Sequence, residues 1–263
     1  MRIYNKPFSP LNTAVINLVW VNVLAFLFVT ILKLFPFGNF VFNFLSFWPS
    51  KPLWASFYSI LTSIFIHDGF FHLLGNMLWL FFIGTILEDL IGKKHIYYLY
   101  FGGGIAGVFL FYLISKLTGN LVPIVGASAG ISAIILATAV FTPHYRIFLF
   151  GIVEIELRWI VIIKVFLDFL GMFGGANAGG NQAHIGGYLF GLAYILELKG
   201  HWNFPKNWIP KKSSKPKRTA TVSINQNSPS QAEIDRILDK ISESGYDNLT
   251  AKEKETLFKA SKK

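Results

Sequence analysis

The chain has 263 residues, of which 53% are hydrophobic and only 14% are charged, and its formal net charge is +10. Soluble domains carry about 25% charged residues, so this composition excludes an ordinary soluble enzyme and predicts a membrane protein. Cysteine is absent, which excludes a disulfide framework and a cysteine-based zinc site.

The positive charge is concentrated in one stretch of the chain. Residues 199–218 contain seven basic and no acidic side chains, whereas residues 219–263 contain equal numbers of both. A basic stretch beside a membrane helix is typical of a contact with anionic lipid head groups. No base-stacking or groove-reading motif accompanies it, so we expect Lys199 to Arg218 to bind lipid and expect no nucleic-acid partner.

Six apolar segments predict membrane-spanning helices, for which about 20 residues are needed. They comprise residues 11–32, 70–87, 96–113, 122–141, 159–173 and 183–196. Residues 33–66 are interrupted by prolines and rich in aromatic side chains, which predicts a loop lying in the membrane interface. Residues 143–158 mix apolar and charged side chains and are also expected at the membrane surface. The predicted fold is an all-α, polytopic six-helix bundle.

Lysine and arginine predict how this bundle is oriented. The basic residues cluster in the loops on the side of both termini, and the opposite loops hold only Lys33, Lys51 and Lys116. By the positive-inside rule, both termini face the cytoplasm. We therefore predict a multi-pass protein of the cell (inner or cytoplasmic) membrane, with the start of the fourth segment near the outer face.

The residues after the sixth segment predict a linker and a small helical tail. Ser230 with Glu233 and Thr250 with Glu253 have capping-box spacing, and apolar residues follow each pair. Such boxes mark helix starts. We predict a six-span domain at residues 1–198, a basic and polar linker at 199–229, and a two-helix cytoplasmic domain at 230–263 that has an unknown partner.

Four polar side chains lie within the apolar segments at one predicted depth. His72 and Asn76 are four residues apart on the second segment, Ser128 is near the start of the fourth, and His184 opens the sixth. Polar groups are costly in hydrocarbon unless they are paired or line a wet cavity. The set fits acyl transfer, because a histidine activates a serine and hydrogen-bond donors stabilise the oxyanion. Asn76, His72 and the Ser128 backbone amide are the candidate donors.

Small residues accompany this set. Gly126 and Ala127 would let backbone and substrate approach the serine, and Gly187 with Gly191 forms a GxxxG that permits close packing of the sixth helix. The alternative interpretation of Ser128 is helix packing alone, because serine, alanine and glycine let helices approach closely in lipid.

Three motifs together resemble the rhomboid family of intramembrane serine proteases. They are His72-Leu73-Leu74-Gly75-Asn76, Gly126-Ala127-Ser128-Ala129 and Ala183-His184-Ile185-Gly186-Gly187. The stretch from Gly84 to Glu88 is also similar to the family's GxxxE, a packing and capping feature. The resemblance covers about residues 10–198, and the tail is similar to one appended to some bacterial rhomboids.

The resemblance implies a catalytic dyad of Ser128 and His184 without an aspartate, and an oxyanion site formed by Asn76, His72 and the Ser128 amide. It implies that residues 36–66 dip into the membrane and that transmembrane proteins are cleaved near the outer face. Two positions depart from the family pattern. Ala129 replaces a glycine and is expected to narrow the pocket slightly. Ser132 replaces a larger side chain that packs on the catalytic histidine, which leaves the orientation of His184 unexplained.

Two other functions remain open from the sequence. One is a catalytically inactive relative that binds membrane proteins, which the presence of both Ser128 and His184 disfavours. The other is a small channel or proton-coupled transporter, which predicts internal repeats that the sequence lacks.

Two further groups of charged or polar residues have more than one interpretation. Lys164 and Asp168 form either a mutually neutralising pair or a polar contact that holds the fifth helix against the second. His67, Asp68 and His72 could imitate a metal cluster, but the sequence has no HExxH motif, so we expect neither a metal nor a cofactor.

Overall fold

The computed structural model describes residues 13–149, 153–174, 177–200 and 231–261. These residues fall into two compact units, one within residues 1–204 and the other within residues 205–263. The proposed boundaries of the linker remain a prediction. Most of the basic stretch from Lys199 to Arg218 lies outside the described residues.

The first unit is built from eight helices among the residues that the structure describes. They are α1 (Ala14–Leu32), α2 (Gly38–Leu45), α3 (Leu53–Thr62), α4 (Phe70–Ile91), α5 (Lys93–Thr118), α6 (Ser128–Phe141), α7 (Leu157–Gly171) and α8 (Ala178–Leu198). By length and composition, α1, α4 and α5 can cross a membrane. Helices α6 and α7 are shorter, and α8 begins with polar residues. The predicted all-α polytopic membrane fold is confirmed.

Helix α6 lies at the centre of this unit, and most of its residues are buried. Glycines on its neighbours let their backbones approach it closely. A Cβ atom at Gly187 would collide with the backbone of Ala129, and one at Gly191 would collide with the backbone of Ala133. The predicted close packing of α8 is therefore a contact with α6, and it places the start of α8 beside Ser128.

A carboxylate on α4 caps α1. Glu88 accepts hydrogen bonds from the backbone N–H groups of Ala14 (2.7 Å) and Val15 (2.9 Å). These donors have no partner within their own helix, and a negative charge is favourable at a helix N-terminus. Gly84 lies one turn earlier on α4, where a Cβ atom would come within 2.9 Å of Val15. The pair Gly84 and Glu88 therefore docks the start of α1 onto α4.

Replacing Glu88 by alanine is expected to lower the free energy of unfolding by about 1–2 kcal/mol, because two helix N-terminal donors lose their acceptor. The measurement is thermal unfolding in detergent. Asp89→Ala is the matched control, since Asp89 is exposed on the same helix. Equal melting temperatures for both variants would contradict the assigned capping role.

The aromatic segment after α1 supports the loop that precedes α6. It forms α2, α3 and a short 3₁₀ turn from Ser63 to Phe65. Phe47 and Ile124 exchange backbone hydrogen bonds of 3.1 and 3.0 Å, and the Gly126 N–H donates to the Ser63 carbonyl at 2.9 Å. The first loop thereby fixes the backbone immediately before Ser128.

The segment predicted at the membrane surface before α7 contains a small antiparallel hairpin, β1 (Arg146–Leu149) and β2 (Val153–Glu156). This is a local departure from an all-helical chain. Charged and apolar residues alternate in β2, which is the period of a strand, whereas β1 has one charged residue followed by three apolar ones. Arg146 contacts Glu154 at 3.4 Å across the hairpin.

The second unit contains α9 (Gln231–Ser244) and α10 (Ala251–Ser261). The second capping box is present, because the Thr250 N–H donates to Glu253 at 2.8 Å and the Glu253 N–H donates to the Thr250 hydroxyl at 3.3 Å. Lys240 of α9 binds the same carboxylate at 3.0 Å. The hydrogen bond from the Thr250 backbone, together with Lys240, lowers the pKa of Glu253 to about 2. Ser230, the predicted first cap, lies outside the described residues.

Candidate active site

A cavity of about 280 Å³ lies among α4, α6, α7 and α8, and we call it the polar cavity. Its polar lining comes from several elements, and comprises His72, Asn76, Ser128, Ser132, Lys164, Asn177 and His184. The four residues predicted to carry the chemistry therefore line the same cavity. The structure brings them together from three helices that are distant in sequence.

Ser128 is the first residue of α6, and its position follows from the loop before it. Gly126 has a φ of +119°, a backbone conformation that residues with a side chain rarely adopt. Ala127, which follows, is fully buried. The first N–H groups of a helix have no intrahelical acceptor, and they carry a partial positive charge. The Ser128 amide is thus a donor of the type that stabilises an oxyanion.

His72 and Asn76 project from α4 toward the same loop. A Cβ atom at Gly126 would lie 2.8 Å from Nε2 of His72 and 3.8 Å from Nδ2 of Asn76, so these two nitrogens converge on one point beside the loop. Nδ2 of Asn76 is buried and has no hydrogen-bond partner among the described residues. Buried donors are normally paired. An unpaired amide on a cavity wall is available to a ligand oxygen.

His72 is held by its neighbours in the loop before α4. Its Nδ1 lies 2.7 Å from Oδ1 of Asp68, and its ring packs edge-on against His67, with 5.0 Å between the centroids. Burial, with a smaller contribution from His72, lowers the pKa of His67 to about 4. His67 is therefore neutral near pH 7. No group of three metal-ligating side chains occurs among the residues described in the structure.

His184 on α8 has a neighbour that the sequence did not predict. Its Nδ1 lies 3.2 Å from Oδ1 of Asp168 on α7, and both side chains are nearly buried. The other carboxylate oxygen of Asp168 accepts from Lys164 at 2.9 Å and from the Tyr188 hydroxyl at 2.7 Å. This carboxylate thus contacts two side chains of α8, whereas the sequence allowed a contact that holds α7 against α4.

The sequence indicated that Asp168 and His184 lie at a similar depth, although not that they are in contact. Asp168 lies near the end of α7 and His184 near the start of α8, and a short connection joins the two helices. Antiparallel neighbours place such residues at the same depth. The expected pair of Lys164 and Asp168 is present at 2.9 Å, but it is only part of a larger hydrogen-bonded group.

The remaining predicted residues serve packing around the serine. Ala129 is buried between α5 and α8. A Cβ atom added at Gly107 of α5 or at Gly187 of α8 would collide with it. Ala129 borders a small second cavity of about 20 Å³ beside Ser128. Gly187 and Gly191 contact α6 and do not line the polar cavity. Ser132 is buried, lines the polar cavity and hydrogen bonds with Tyr188.

Comparison with known proteins identifies two regions of similarity. A family model described as the Rhomboid domain matches residues 55–199, more than half of the chain. A model of a family of unknown function, DUF6576, matches residues 225–263.

Several curated proteins are similar to the first of these regions. Presenilin-associated rhomboid-like protein A, mitochondrial, from Danio rerio is 30% identical over 52% of this chain and 36% of its own length. The Bos taurus presenilin-associated rhomboid-like protein, mitochondrial, is 26% identical over 60% of this chain and 44% of its own. Rhomboid protein 1, mitochondrial, from Saccharomyces cerevisiae is 30% identical over 52% and 40%. The matches thus span less than half of these relatives.

These names contradict the predicted location. We predicted the cell membrane with cytoplasmic termini, but the relatives are named as mitochondrial proteins. The physical reason for the error is that the distribution of lysine and arginine reports which loops share a side of the membrane. It carries no information about which membrane that is.

Proposed function

Because this chain belongs to the rhomboid family, we propose that it is an intramembrane serine endopeptidase that uses Ser128 as the nucleophile and His184 as the general base. The observation that carries the proposal is the shared cavity, which Ser128, His184, His72 and Asn76 line from three helices of an apolar bundle. The substrates are the transmembrane segments of other proteins, cut near the membrane face at which Ser128 lies.

The proposed reaction has two steps. His184 removes the hydroxyl proton of Ser128 as the oxygen attacks the scissile carbonyl, and the protonated imidazole then gives that proton to the leaving amine. A water molecule hydrolyses the acyl-enzyme in the second step, again with His184 as the base.

The tetrahedral intermediates of both steps need hydrogen-bond donors. The unpaired amide of Asn76 and Nε2 of His72 lie together beside Gly126, and the N–H of Ser128 is at the start of α6. We assign these three groups as the donors. Because the Asp68 carboxylate accepts from Nδ1 of His72, Nε2 also carries a proton only in the imidazolium form of that ring. The second cavity of about 20 Å³ beside Ser128 is lined mainly by small residues. It supports a preference for a small side chain next to the cleaved bond.

A fluorophosphonate probe tests the proposed nucleophile, because such probes react with activated serines. The purified protein is expected to be labelled at Ser128, and labelling is expected to disappear in Ser128→Ala and His184→Ala. Mass spectrometry of the labelled peptide locates the adduct. Ser115→Ala is the matched control, since Ser115 is a buried serine on α5 that does not line this cavity. A wild type that does not react with the probe would favour a catalytically inactive binder of membrane proteins, and an adduct on another serine would contradict the assignment of Ser128 as the nucleophile.

A further inference from the structure

Asp168 is a charged side chain with little exposure to solvent, and three polar groups contact its carboxylate. Its Oδ1 faces Nδ1 of His184 at 3.2 Å, while its Oδ2 accepts from Tyr188 at 2.7 Å and from Lys164 at 2.9 Å. The exposed fraction of the carboxylate side chain is 11%. A buried carboxylate is costly unless its oxygens are satisfied. The contacts therefore account for both of its oxygens.

The contact with His184 is not needed to neutralise the charge of Asp168. Lys164 already balances the charge of Asp168, and Tyr188 satisfies the same oxygen. Nδ1 of His184 has no better-aligned hydrogen-bond partner among the described residues. The approach of 3.2 Å is long and imperfectly aligned, as is common for catalytic hydrogen bonds in a resting enzyme.

We propose that Asp168 is a positioning residue that fixes the tautomer and orientation of His184, which rests on the proposed function of His184 as the general base. The Oδ1 atom accepts the Nδ1–H, so the opposite nitrogen, Nε2, keeps its lone pair for the proton of Ser128. The same carboxylate stabilises the imidazolium that forms when Nε2 takes this proton. The dyad expected from the sequence thereby becomes a group of three residues on α6, α7 and α8.

The surroundings of Asp168 fix which oxygen faces the histidine. Lys164 and Tyr188 both donate to Oδ2, and Ser132 on α6 also hydrogen bonds with the Tyr188 oxygen. Rotation of the carboxylate would break these contacts. Asp168 therefore orients the ring of His184, whose orientation the sequence left unexplained.

This geometry predicts an unusual order of effects for two substitutions. In Asp168→Asn, the amide oxygen faces the two donors Lys164 and Tyr188, so the NH₂ group faces His184. An NH₂ donor forces Nδ1 to accept, and the ring proton moves to Nε2, where it blocks the base. In Asp168→Ala, Nδ1 loses its partner, but both tautomers remain accessible. We therefore expect kcat to fall by about 100-fold or more in Asp168→Asn and by only about 10-fold in Asp168→Ala.

The test measures kcat and KM on a single-span substrate, with melting temperatures recorded for each variant. KM is expected to stay within about twofold of wild type, because Asp168 acts on the base and not on substrate binding. Asp168→Glu is expected to recover part of the kcat lost in Asp168→Asn, since it restores an acceptor. A purely structural role predicts the opposite order, with alanine worse than asparagine in both stability and kcat, and that order would overturn the proposal.

A spectroscopic measurement separates this proposal from the catalytic one. Nitrogen-15 NMR of labelled histidine, assigned with His184→Gln, is expected to show a proton on Nδ1 in wild type and on Nε2 in Asp168→Asn. This readout needs no activity. If the wild-type protein does not react with the fluorophosphonate probe, the proposed function alone is refuted. If wild type and Asp168→Asn have the same His184 tautomer, the role of Asp168 is refuted.

Discussion

Ser128→Ala is expected to reduce cleavage of a single-span substrate by about 10⁴-fold, because the only assigned nucleophile is lost. His184→Ala is expected to cause a loss of similar size, since the hydroxyl of a serine is a weak nucleophile without a base. The measurement is the initial rate of product formation in detergent or in liposomes, at equal concentrations of folded protein.

The two substitutions should not be additive. Nucleophile and base act as a unit, so the double variant is expected to be no slower than either single variant. Ser115→Ala is the matched control, because Ser115 is buried on α5 and its hydroxyl has no hydrogen-bond partner among the described residues. Cleavage that survives both single substitutions would contradict the proposed mechanism.

The positions of the helices and of the polar cavity could be predicted from the sequence, because each depends on a local pattern. Spans follow from apolar length, and α4, α5 and α8 differ from the predicted segments mainly at their ends. His72, Asn76, Ser128 and His184 lie at the ends of their segments, so the alternation of helix directions was enough to place them at one depth. The structure adds the convergence of His72 and Asn76 beside Gly126.

The contact between Asp168 and His184 could not be predicted in the same way. Within α7, Lys164 and Asp168 are four residues apart and neutralise each other, so their spacing does not indicate a further partner for Asp168. Whether the second carboxylate oxygen reaches α8 depends on the rotation of two helices about their axes. Neither the period nor the composition of a segment fixes that rotation.

The hairpin before α7 was missed for a related reason. Residues 146–156 mix charged and apolar side chains, and this mixture predicts a segment at the membrane surface without indicating a secondary structure. The register that pairs Ile147 with Ile155 is a contact between two short segments, and each is too short for its period to be decisive.

Substitution of Asn76 is expected to cause the second large loss of activity. Asn76→Ala is expected to lower kcat by about 10²–10³-fold with little change in KM, because a donor to the oxyanion acts in the transition state and not in substrate binding. Asn76→Asp is the sharper variant, since it keeps the shape of the side chain and replaces the NH₂ donor with an acceptor that repels an oxyanion. It is expected to be at least as slow as Asn76→Ala.

The control for Asn76 is another buried asparagine whose hydrogen bonds are structural. Asn22 on α1 donates to the Tyr100 hydroxyl at 2.8 Å and to the Leu18 carbonyl at 2.7 Å, so Asn22→Ala is expected to cost about 1–3 kcal/mol of stability while kcat per folded molecule is kept. Asn76 makes no such bond through Nδ2 in the part of the chain that the structure describes, so its removal should change stability less than the removal of Asn22. A loss of stability without a loss of kcat in Asn76→Ala would show that its amide supports the fold and does not contact the oxyanion.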